Sequence, residues 1–237
     1  MMKKYAIGFE VAGEMGMFRR PDSGSDGCSS VIPTPSAALG MVESVARVVD
    51  VDVHIVAIGV CFVPKWTNGA FNSHSPIRKS SLVSSGNSLI TRTSVLHKPR
   101  YQILATLSNR GFRSRPTNNA HAFQEIFLRR LRKGQSWSPV CLGLKKFMAT
   151  DVDFIKTPIV PYNETLPYQI VQYFDHAPVG DEVLSRSFAS CGRQVLSDFK
   201  ITDGVAYFGP DQIRVDNGLL SFADESMQLS IDERRRK

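Results

Sequence analysis

The chain has 237 residues, 42% of them hydrophobic and 9% aromatic, and 29 Lys or Arg against 22 Asp or Glu give a formal net charge of +7. That apolar content supports a core and excludes wholesale disorder, and the length suits one large domain or two small ones. The longest apolar run, Ile55 to Val63, falls far short of the roughly 20 residues of a membrane span, and the opening MMKKYAIGFEVAGEMG lacks an apolar stretch of signal-peptide length, so a cytoplasmic protein is expected.

In chain order, Tyr5, Ile7, Phe9 and Val11 alternate with small or polar residues and predict a strand with one buried face. Residues 19–31 are a Gly-, Ser- and Asp-rich loop. Pro35 and Ser36 open a helix whose apolar face is Ala38, Met41, Val42, Val45 and Val49. Val51 to Val63, dense in β-branched residues, predicts a buried central strand. Residues 64–99 are polar, with basic residues and only scattered apolar ones, which marks a functional loop, an extended hairpin or a disordered segment. Arg100 to Leu107 alternates again as a strand, and a basic loop follows over 108–119. Ala120 to Lys133 predicts a second helix with the stripe Phe123, Ile126, Phe127 and Leu131, cations in its last turn and Gly134 as its stop. The remainder is β-rich: Tyr168 to Phe174 reads as a strand, and Thr202-Asp203-Gly204 and Asp216-Asn217-Gly218 are hairpin turns. The ERRRK tail is expected to be frayed and solvated.

This order predicts an α+β protein: a ferredoxin-like (RRM-like) βαββαβ palm over 1–150 with a long basic β-hairpin thumb inserted at 64–99, and a β-rich C-terminal region over 151–237 packed on the palm. The aromatic signature by which RRM strands stack bases is absent.

The charge is unevenly placed. Residues 64–150 hold 15 Lys or Arg and a single acid, Glu125, for a net +14, whereas the rest of the chain is −7. Such asymmetry points to a polyanion, because phosphate contacts need cations and counterion release drives the binding. A solvated basic face that binds nothing explains any one cluster, but serves poorly for 87 residues with one acid. An acidic lipid surface is the rival, and it lacks an amphipathic basic helix or a lipidation motif to support it. Nucleic acid is the expected partner.

Chemical motifs are sparse. No Walker A loop, GxGxxG, HExxH or GxSxG occurs. Cys28, Cys61, Cys141 and Cys191 share no CxxC spacing and read as reduced thiols. The pairs Asp50/Asp52 and Asp151/Asp153 have the spacing of Mg²⁺ ligands but no third ligand, so neither a metal nor a cofactor is implied. Of the histidines His54, His74, His97, His121 and His176, only His121 opens a basic helix, where it could meet a phosphate. Trp66 and Trp137 stand in basic or polar contexts and could stack on a base.

Two stretches carry a family resemblance: FEVAGEMGMFRRP followed by IPTPSAALGMVES, residues 9–21 and 32–44, and FLRRLRKGQSWSPVCLGLKKF, residues 127–147. In this order they resemble the family-five CRISPR-associated (Cas) proteins, most closely those of type I-C systems, over roughly a third of the chain. The resemblance implies a ferredoxin-like palm with a hairpin thumb. It implies a place at one end of a crRNA-guided complex, capping the 5′ handle of the crRNA beside the first family-seven backbone subunit, with a further effector nuclease or large subunit as a possible partner. It also implies RNA-contacting residues, for which the candidates are Arg19, Arg20, Ser36, Arg78, Lys79, Arg129, Arg130, Lys133, Trp137, Lys145 and Lys146.

Some type I-C members cut precursor RNA without metal, through a Tyr on the first helix and a Lys-His pair before the second. Here alignment on Gly40 and Glu43-Ser44 puts Ala46 at the Tyr position, and alignment on Gly134-Gln135-Ser136 puts Ala122-Phe123 at the Lys-His site, with His121 nearby. Alanine is neither acid nor base, so a binding subunit without nuclease activity is expected. The alternative is a metal-independent endoribonuclease using His121, and a third reading is a basic ferredoxin-like protein of ribosomal or transfer RNA.

Overall fold

The computed structural model describes residues 5–20, 23, 27–47, 51–73, 80–85, 89–109, 118–174, 191–208, 213–224 and 227. Arg78, Lys79, Asp50, Val49, His74, His176, most of the 108–119 loop and the ERRRK tail lie outside the described residues.

The palm is built as its alternation and helical periodicity dictate. Strand β1 (Tyr5–Ala12) precedes α1 (Pro35–Val45), β4 (Val51–Val60), β7 (Arg100–Asn109), α3 (Asn119–Lys133) and β8 (Asp151–Asp153). These four strands lie in the order β4-β7-β1-β8, each antiparallel to its neighbour, which is the ferredoxin-like arrangement; β11 (Val205–Tyr207) extends it beside β4. Both helices pack on one face, where Tyr5, Ile7, Phe9 and Val11 meet Met41, Val42, Phe123, Phe127 and Leu128.

Each helix end has a local cause. Thr34 caps α1, its hydroxyl accepting from the Ala37 amide at 3.2 Å, and Pro35 takes the first turn, where no N–H is needed. Asn118 caps α3, accepting from the His121 amide, and Gly134 ends it in the left-handed conformation at φ +59°. The buried stripe of α3 is Ala120, Phe123, Gln124, Phe127, Leu128 and Leu131; Ile126 is only half-buried, and α1 ends at Val45, short of the predicted Val49.

The structure corrects the reading of β1 as a strand with one buried face: all eight of its residues are buried. The second face of the sheet is covered by C-terminal residues, with Ala6, Ala57 and Leu104 packed under Ile155, Leu220, Phe222 and Met227. In β4 Val51 and the run from Ile55 onward are buried, whereas Asp52 and Val53 are half-buried and His54 is exposed.

The 64–99 insertion is a hairpin. β5 (Trp66–Ser73) pairs antiparallel with β6 (Leu89–His97), and the five-residue α2 (Ser80–Ser84) lies between them. On its other side β6 pairs with β2 (Met15–Gly16) and, in parallel, with β3 (Gly27–Cys28), so the loop predicted over 19–31 contributes a strand. C-terminally, β9 (Glu164–Phe174) and β10 (Cys191–Ile201) pair along eleven residues each, and β12 (Ile213–Asp216) pairs with β13 (Leu219–Phe222). Asp203-Gly204 and Asn217-Gly218 all have positive φ, as the predicted turns require. Among the described residues no helix is long and apolar enough to cross a membrane.

Candidate nucleic-acid interface

The helix-free sheet face, which RRM-type domains use to stack bases, is sealed by polar locks as well as by apolar contacts. Glu10 is 1% exposed, and its carboxylate accepts from the Thr157 hydroxyl at 2.7 Å, the Thr157 amide at 2.8 Å, the Lys156 amide at 3.1 Å and the Arg100 guanidinium. Burial raises its pKa, but these donors outweigh burial and hold the carboxyl below its ordinary value. Gln102, fully buried, donates to the carbonyls of Thr157 and Gly218 and accepts from the Leu220 amide. A nucleic acid would therefore have to lie elsewhere on the molecule.

The two stretches that carry the family resemblance meet in space. The Met17 amide donates to the Leu142 carbonyl at 2.9 Å, Met17 and Gly143 form a parallel bridge, and the Thr150 amide donates to the Ala12 carbonyl. Gly143 has φ +88°, and a Cβ there would lie 1.9 Å from the Met17 carbonyl oxygen, so only glycine permits this approach. Beyond the bridge the two segments run in the same direction, and Arg19 and Lys145 each follow two residues after it. Lys146, next in the same turn, lies over the Phe147 ring at 5.1 Å. Arg19, Lys145 and Lys146 are exposed and Arg20 is half-buried.

A second group of cations lies on α3. Arg129, Arg132 and Lys133 are exposed in its last turns. Arg130 has structural work: its guanidinium donates to the Val45 carbonyl at 2.8 Å, at the end of α1, and sits 5.6 Å from the Trp137 ring centre. The Trp137 amide also donates to the Val45 carbonyl, so the segment after α3 is tied to the end of α1, while the Trp137 ring remains 63% exposed. Ser36 is the second residue of α1 and is half-buried.

His121 stands at the start of α3, its ring edge-on to Tyr5 at 5.5 Å and 3.6 Å from the Glu125 carboxylate. Ala46, at the position where the resemblance places a Tyr, is fully buried beyond the end of α1 and offers no proton-transfer group. The acids of β8 are engaged with cations: Asp151 with Arg100 and Lys156, and Asp153 with Lys156 at 2.6 Å. Among the described residues no three His, Cys, Asp or Glu side chains are grouped as a metal site.

The hairpin adds a feature that composition does not reveal. Gly27, Cys28, Asn68, Gly69, Ala70, Arg92, Thr93 and Ser94 line a shallow open trough of about 440 Å³ across β3, β6 and β5. Arg92 counts toward the basic charge of the middle segment, but nothing in the sequence singles it out as an RNA ligand. Strand alternation could have flagged it only if the pairing of β5 with β6 were known.

A scan of family models and a search of curated proteins find no match to this sequence. Solved structures do resemble it. A functionally uncharacterized protein, SMU1763c from Streptococcus mutans, is similar with a TM-score of 0.63 and 14% identity, covering 89% of this chain and 95% of its own. A CRISPR-associated protein is similar with a TM-score of 0.58 and 16% identity, covering 88% and 94%. A chain of a CRISPR RNA-guided surveillance complex aligns over 98% of this chain and 100% of its own, with a TM-score of 0.43 and 11% identity. At these identities the likeness to the first two structures is one of fold alone.

Proposed function

We propose that this protein is an RNA-binding subunit of a CRISPR-Cas effector complex of the family-five kind, capping the 5′ handle of the crRNA and abutting a family-seven backbone subunit. In this reading residues 1–150, with β8 completing the palm sheet, form the palm and thumb that meet the RNA, and the rest of residues 151–237 are an extension packed on the palm. The observation that carries it is the junction of residues 13–20 with 140–149. The stretches whose sequences resemble the family interlock through the Met17–Gly143 bridge, with Arg19, Lys145 and Lys146 beside it. The fold shared with a CRISPR-associated protein supports it further. Cations displayed by backbone-fixed segments position phosphates without reading sequence, which suits a cap on a constant handle.

The test is co-expression with a CRISPR array, purification and sequencing of the bound RNA. Discrete guide RNAs sharing one 5′ end are expected. Heterogeneous cellular RNA would overturn the handle-capping role.

The second reading, a metal-independent endoribonuclease, rests on His121, half-exposed between Tyr5 and Glu125. General acid–base catalysis of 2′-hydroxyl attack needs a second proton-transfer group or cation, and Ala46 does not supply one. Incubation with repeat RNA in EDTA is expected to yield no product. A product lost on His121→Ala would establish the enzyme instead.

A further inference from the structure

The hairpin places four chemically matched side chains on one of its faces. In the β5–β6 ladder Trp66 is opposite Leu96, Asn68 opposite Ser94, and Ala70 opposite Arg92. Opposed residues of an antiparallel pair share a face, and alternate residues along each strand do too. The Ser94 hydroxyl donating to Asn68 Oδ1 at 2.6 Å agrees with that register. Trp66, Asn68, Ser94 and Arg92 therefore form one strip, running from the base of the hairpin outward, and the last three line the open trough.

The indole is both exposed and fixed. Trp66 is 43% exposed, yet its Nε1–H donates to the carbonyl of the buried Ser29 at 3.2 Å. Its one polar atom is already used, so what it offers a partner is π surface. Its orientation is set before binding, which lowers the ordering cost. Beside it, Asn68 accepts through Oδ1 and so presents its amide NH₂ as a donor. Ala70, opposite Arg92, leaves the guanidinium room on an exposed stretch of strand. Among the described residues the lining contains no acid and no large apolar side chain.

We propose that this strip is a single-stranded RNA subsite, in which a base stacks on Trp66, its polar edge meets the Asn68 amide, and the adjoining phosphate meets Arg92. The inference rests on the RNA-binding reading above and assigns it a place on the hairpin. A stacking face, an amide donor and a cation along roughly 13 Å of strand fit a nucleotide chain. Among the described residues the trough presents Arg92 and no acid, which matches an anion.

The test uses the full chain in a Trp137→Phe background, whose own affinity is the reference, so that Trp66 is the only indole. Titration with a 12-nucleotide oligoadenylate is expected to give saturable quenching of Trp66 emission. Trp66→Ala is expected to weaken binding about tenfold and Trp66→Phe much less. Arg92→Ala, an exposed change that spares the fold, is expected to weaken it about threefold or more and lower the salt slope by about 0.7. Saturation without quenching, together with unchanged affinity in Trp66→Ala and Arg92→Ala, would overturn the subsite and leave the RNA-binding reading standing. Failure of the unaltered chain to bind any RNA would overturn both. If Trp66→Ala spares RNA affinity but blocks entry into an assembled complex, the strip is a protein contact and the proposal is wrong.

Discussion

Glu10 shows how a single buried charge can organise a fold. Its carboxylate binds the Lys156–Thr157 segment to β1 and pairs with Arg100 on the neighbouring strand. Glu10→Ala leaves those donors, including a partly buried guanidinium, without their acceptor, and is expected to cost about 3 kcal/mol in urea unfolding. The pH dependence follows from the lowered pKa. The stabilisation from Glu10 is fully present above its ordinary value of 4.5 and is lost as pH falls through the lower folded value. A Glu10→Gln variant should therefore lose less stability than the parent on acidification below pH 4.5, as read by unfolding midpoints across that range. Gly143 is the second decisive residue. With φ +88° and no space for a Cβ beside Met17, Gly143→Ala is expected to cost at least about 2 kcal/mol and to lower the melting temperature by separating the two segments at the junction. The sequence announces a glycine here, but the Met17 carbonyl it must accommodate lies far away in the chain.

The helices were legible as elements because their determinants are local. Pro35, the helical spacing of Ala38, Met41, Val42 and Val45, and Gly134 lie within a few residues of what they control. Thr34→Ala should cost about 1 kcal/mol, measurable by chemical denaturation, because it removes the acceptor for the Ala37 amide. The hairpin was less legible. Its polar composition fits a loop or a disordered segment as well as a strand, and β6 is held by pairing with β2, β3 and β5 together with the burial of Val95 and Leu96 in the core. The same pairing makes Trp66, Asn68, Ser94 and Arg92 neighbours. Register between two strands is a tertiary quantity, so no reading of either strand alone finds that face.

At the scale of the whole molecule, the chain divides its charge: net +14 over residues 64–150 and −7 elsewhere. If RNA lies along the exposed cations, replacing Arg129, Lys133, Lys145 and Lys146 together by Ala should weaken single-stranded RNA binding. The slope of log K against log salt should then fall by about 0.7 for each phosphate no longer neutralised. Filter binding at salt concentrations from about 50 to 200 mM, over which such slopes are resolved, checks this. Unchanged affinity and slope would assign these cations to the solvated surface. The sequence by itself determined the charge partition, the helix starts, the Gly134 stop, the turn sites and the strand order from which a ferredoxin-like palm follows, because each depends on composition or on residues close in the chain. Only the tertiary structure decided that the sheet is closed on both faces, that Arg100 and Arg130 are occupied with Glu10 and the end of α1, and which polar side chains share the hairpin face. The physical reason is common to all three. A buried ion pair, a carbonyl met by a distant guanidinium and a strand register are interactions between residues remote in sequence, and local chain preferences do not specify them.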